Sequence, residues 1–159
     1  MSRFRFRLQR VLELREEAER ARSVALADAE GQATAARDVR DTIADARDAG
    51  KQTLTNASNS GTMVGTLQQM QFVLGALDER LEQADSSIVT ADSLVKRAQD
   101  ELRTAYQAKH ALSTLRDKQE DAHRASAQAT DRARMDEIAL TRFQNADTPP
   151  SDPERSTNG

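Results

Sequence analysis

Residues 63–112 read MVGTLQQMQFVLGALDERLEQADSSIVTADSLVKRAQDELRTAYQAKHAL. Stepping alternately by four and three selects Met63, Leu67, Met70, Leu74, Leu77, Leu81, Ala84, Ile88, Ala91, Val95, Ala98, Leu102, Ala105, Lys109 and Leu112, all apolar except Lys109. An average step of about 3.5 residues is the repeat of a left-handed coiled coil. At about 1.5 Å per residue, this stretch alone makes a helix about 75 Å long. An apolar stripe of that length needs a partner helix, and the rest of the chain is expected to supply it.

The composition agrees with a thin interior. Hydrophobic residues are 37% and charged residues 31% of the 159, leaner and more charged than an ordinary globular domain. Much of the apolar share is Ala, which fills a seam between close helices better than a thick core. No deep pocket is expected. The net charge of −3 singles out neither an acidic nor a basic partner. The absence of Cys excludes disulfides and thiolate chemistry and fits a reducing compartment. The charged start from Arg3 onward has no apolar h-region, so no signal peptide is read. No apolar run approaches the roughly 20 residues of a membrane span, and a cytoplasmic location is expected.

Upstream, Phe4, Phe6 and Leu8 alternate with Arg3, Arg5 and Arg7. Val11, Leu14, Ala18, Ala21 and Ala25 then step by threes and fours. Ala29 follows one residue late, a stutter that locally unwinds a supercoil, and Gly31 beside it weakens a helix by about 1 kcal/mol relative to Ala. The seam resumes at Ala36, Val39, Ile43 and Ala46. This predicts a first helix over about 4–54, with Leu from the second helix packing over Ala on the first. The basic start has two readings. It is a membrane-surface or nucleic-acid patch, or a solvated helix start whose Phe4 and Phe6 close the end of the hairpin. The second is preferred, because no nucleic-acid motif accompanies it.

The stretch TNASNSGT, residues 55–62, is rich in turn-forming residues. Between two heptad runs it predicts the bend of an antiparallel hairpin, with a second helix over about 62–143. The expected fold is all-α: a long antiparallel two-helix coiled coil over 1–144, an overhanging second helix, and a disordered tail over 145–159 rich in Pro, Ser and Asp. Folding back near residue 59 sets Ile43 near Leu74 and Leu77, and Leu8 near Lys109. About thirty residues of the second helix are then left to overhang.

No catalytic constellation is present. His110 and His123 lie far apart on one helix, no phosphate-cradling loop or nucleophile elbow occurs, and the carboxylates alternate with Arg along solvated faces. Neither enzyme activity nor a cofactor or metal is expected.

Three stretches carry a family resemblance. The opening Phe4-Arg5-Phe6-Arg7-Leu8-Gln9-Arg10-Val11-Leu12-Glu13-Leu14-Arg15, the segment Gln71-Phe72-Val73 followed by Leu77 and Leu81, and Arg134-Met135-Asp136-Glu137-Ile138-Ala139 together resemble FliJ, the coiled-coil component of the flagellar type III export apparatus. The resemblance implies a non-enzymatic, stalk-like hairpin serving flagellum biogenesis, and so motility and chemotaxis. It implies binding to the hexameric export ATPase, to the cytoplasmic domain of the export-gate membrane protein, and to export chaperones. It also implies a place in the cytoplasm, peripherally associated with the inner face of the cell membrane at the flagellar base. Arg134, Met135, Asp136, Glu137 and Ile138 fall in the implied ATPase contact, and Phe72 and Leu77 in the implied gate contact. The family's gate surface tends to carry aromatics on helix 1, where this chain has Ala46 and Gly50. The alternative is a generic scaffold or stalk in another ATPase complex.

Overall fold

The computed structural model describes residues 3–146. They form two helices, α1 (Gln9–Asn59) and α2 (Val64–Ala146), packed against each other with no strand among the described residues. Residues 147–159, most of the expected tail, lie outside the described residues; 145 and 146 still belong to α2. Two compact units are present, residues 10–111 and residues 3–9 with 112–146.

In the 10–111 unit the helices run antiparallel. The bend is shorter and later than 55–62, because α1 continues through Asn59. Thr53 and Thr55 turn their hydroxyls back to the carbonyls of Ala49 and Lys51 at 2.9 and 3.0 Å, which satisfies those hydroxyls inside the helix. The stop is a left-handed glycine cap. Gly61 has φ +74°, and Thr62 N–H donates to Ala57 O at 3.2 Å, the six-to-one bond of a Schellman motif. Met63 O then accepts from Thr66 and Leu67 as α2 begins.

The later bend shifts the register. Arg47 pairs with Asp78, Arg40 Nε donates to Asp85 Oδ1 at 3.1 Å, and Gly50 rather than Ile43 lies against Leu74. This register sets Ile43 closer in height to Leu81 than to the expected Leu74 or Leu77. Lys109, expected opposite Leu8, meets Glu19. Moving the pivot by one residue moves every pairing by two.

The predicted seam of α2 is observed: all its members are at least partly covered except Met63. The α1 seam is not the predicted one. Val11, Leu14, Ala18, Ala21, Ala25 and Val39 are exposed, while Leu12 is only 1% exposed. The covered positions run Leu26, Ala29, Ala33, Ala36, Arg40, Ile43, Arg47, Gly50, Leu54 and Ala57, in unbroken threes and fours. There is no stutter at Ala29, and Gly31 faces open space. The difference has a physical cause. Arg40 and Arg47 bury their aliphatic stems in the seam while their guanidinium groups reach aspartates at its edge. A pattern read from apolar residues alone passes over them.

In the other unit, residues 3–8 precede the helix instead of opening it at residue 4. The Phe–Arg alternation has the two-residue period of an extended segment. Phe6 is buried, Phe4 is half-buried with its ring 5.7 Å from that of His123, and Arg3, Arg5 and Arg7 are exposed. Gln9 N–H donates to Phe6 O as α1 starts. Phe4 and Phe6 thus pack inward, as preferred from the sequence, but from a strap rather than a helix. Every residue of α2 from Arg124 to Ala146 is exposed.

Candidate partner-binding surfaces

The final turns of α2 carry a shallow apolar patch. Asp136, Ala139, Leu140 and Phe143 line it, at the i, i+3, i+4, i+7 spacing of one helix face. Phe143 is 73% exposed and Met135 68%. All of Arg134, Met135, Asp136, Glu137 and Ile138 are exposed there, and Arg134, Asp136 and Glu137 enter no ion pair among the described residues. Leu140 was not singled out from the sequence, although its place three residues before Phe143 signals it.

Phe72 and Leu77 are not brought to one surface. Phe72 is 79% exposed, whereas Leu77 lies half-covered in the seam towards α1. Five residues on a helix turn through about 140°. Gly50 sits in the seam and Ala46 is exposed.

Electrostatics within 10–111 serve the helix pairing. Arg22 reaches Glu101 at 2.7 Å, and Arg37 pairs with Asp92. Hydrogen bonding to Asp85, then to Asp41, raises the pKa of Arg40. The hydrogen bond to Glu19 raises that of Lys109 against a smaller opposing effect of desolvation. His110 stacks on Tyr106 with ring centres 5.8 Å apart, and in the other unit His123 lies against Phe4. Among the described residues no group of three or more His, Asp or Glu is placed to hold a metal ion, and no helix is long and apolar enough to cross a membrane.

The family model described as the flagellar FliJ protein matches residues 4–148. The chain belongs to the FliJ family. It is thus a coiled-coil protein related to flagellar export and biogenesis, in a family of non-catalytic export components. Searches of curated proteins and of solved structures returned no significant match. The FliJ match spans the strap, both helices and the α2 patch.

Proposed function

We propose that this FliJ-family chain binds the flagellar export ATPase ring as a stalk-like coiled coil, and links it to the export gate and to export chaperones from the cytoplasmic side of the membrane. The observation that carries this reading is the fully exposed final stretch of α2, which presents Met135 and Ile138 on one side and Leu140 and Phe143 on another, among Arg134, Asp136 and Glu137 without ion-pair partners among the described residues. A ring offers several similar subunits in turn. Modest apolar groups mixed with free charges suit such a contact better than one deep anchor. Phe72 is the side chain available to the gate, while Leu77 acts through the hairpin that presents it.

The test is a titration of ATPase rate with three proteins. Replacing Arg134, Met135, Asp136 and Ile138 together by Ala preserves helicity and lowers both ATPase binding and stimulation. Removing the chain after Ala146 leaves both intact. A quadruple variant that stimulates like wild type, beside a truncation that does not, moves the contact out of α2. Phe72→Ala weakens binding to the gate's cytoplasmic domain and leaves ATPase stimulation unchanged.

A further inference from the structure

The ion pairs between α1 and α2 repeat with the heptad. Asp78, Asp85 and Asp92 stand seven residues apart on α2, and Arg47, Arg40 and Arg37 reach them in that order. Further from the bend, Arg22 reaches Glu101. If α1 slides by one heptad towards the bend, about 10 Å, most of this ladder closes again. Arg40 meets Asp78, Arg37 meets Asp85, and Arg15, one heptad before Arg22, meets Glu101. The seam closes too. Gly50 keeps a leucine opposite, Leu67 in place of Leu74, and Ala36 passes from the layer of Ile88 to that of Leu81.

Two side chains that the observed register leaves idle find partners in the shifted one. Met63 keeps the spacing of the α2 seam yet is 77% exposed, and the slide sets it level with Leu54. Arg15 lines the same groove between the helices as Glu101 but enters no ion pair among the described residues. The helix ends suit the slide as well. α2 begins at Val64 with Met63 in the capping position, where Ser, Thr, Asp or Asn is preferred. A start one turn earlier puts Ser60 there. α1 gives up only its last turn, residues 56–59, made mostly of weak helix formers. Against this, Arg47 and Lys109 lose Asp78 and Glu19, so the observed register is the favoured one. A slide the other way has less support, because it strips Leu67 from the seam and sets Arg22 level with Lys109.

We propose that the hairpin slides between two registers one heptad apart, and that the N-terminal strap holds the observed one. α1 is one continuous helix from Gln9, and Gln9 N–H donates to Phe6 O. The slide therefore draws the strap along α2 and takes Phe4 off His123. A partner that lifts the strap releases the slide, and the bend moves with it.

The chain has no Cys, so engineered pairs report the register directly. In the full chain, Ala36→Cys with Ile88→Cys closes a disulfide within one chain quickly under mild oxidant. Ala36→Cys with Leu81→Cys is a heptad out of disulfide reach in the observed register. It closes on the order of ten- to a thousandfold more slowly, as a minor state is trapped. Ala36→Cys with Val95→Cys, equally far the other way, measures random opening and is slower still. Met63→Gln and, separately, Arg15→Glu slow the Leu81 pair by about tenfold. Both side chains are exposed, so the Ile88 pair and the circular-dichroism melt stay as they were. Phe4→Ala speeds the Leu81 pair by about tenfold. Equal rates for the Leu81 and Val95 pairs, no closure of the Leu81 pair within one chain, or indifference of that closure to Met63→Gln or to Phe4→Ala overturns the proposal.

Discussion

A Cβ placed on Gly50 stands 2.9 Å from Leu74 Cδ2. This is the closest approach between α1 and α2 at any glycine, and it sets their register. Gly31 has nothing within 4 Å of its own Cβ position. Gly31→Ala is expected to stabilise the hairpin by about 1 kcal/mol through helix propensity alone. Gly50→Ala has the same propensity gain but must displace Leu74, so it is expected to gain little or nothing. Urea unfolding of the two variants measures the difference. Equal gains would mean that the helices do not meet at Gly50.

Gly61 closes the bend with a positive φ. Gly61→Ala forces a side chain into the left-handed region and is expected to lower stability by about 1–2 kcal/mol. Gly65, inside α2 with open space around it, serves as the control, and its change to Ala is expected to stabilise slightly. The urea midpoints should move in opposite directions.

Stepping outward from Gly50 and Leu74 by the same threes and fours sets Ile43 in the layer of Leu81. Arg40 with Asp85 and Arg47 with Asp78 bracket that layer. Cysteines at Ile43 and Leu81 are expected to crosslink rapidly within one chain, and cysteines at Ile43 and Leu74 slowly or not at all. The reverse order on a non-reducing gel would restore a bend centred on residue 59.

Lys109 and Glu19 are expected to make the hairpin sensitive to alkaline pH. The pKa of Lys109 is raised above 10.5 in the folded chain by its hydrogen bond to Glu19 and by that carboxylate's charge. A raised pKa contributes stability that is fully present below the ordinary lysine value and is lost as pH rises through the folded one. Glu19→Gln is therefore expected to lower Tm at pH 8, with the gap from wild type closing above about pH 10.5. A gap that stays constant up to pH 11 would show that the pair does not titrate with folding.

Much of the architecture is legible in the order of residues alone. The α2 seam is made of large apolar side chains at unbroken spacing, and such a stripe has one low-energy solution, a partner helix along its length. The FliJ-like stretches at both ends and in the middle are legible too, since they are local strings of residues. The face that α1 turns to its partner is not. Val11 and Leu14 are as apolar as Leu12, and only docking on α2 chooses between the stripes.

The tertiary structure also decided the bend, the strap and the register. Thr55, Asn56, Ser58 and Asn59 have weak helix propensity, yet the helix runs through them, because packing outweighs a few tenths of a kcal/mol per residue. Phe4 and Phe6 alternate with Arg in a way that suits a strap or a helix start until His123 is placed against them. Arg40 and Arg47 belong to the seam only because Asp85 and Asp78 stand across from them. Sequence alone determined that there would be two long helices and which face of α2 is buried, because periodicity is a property of one helix. Which face of α1 meets it, and at what height, depends on contacts between residues far apart in the chain. Only the folded arrangement supplies those.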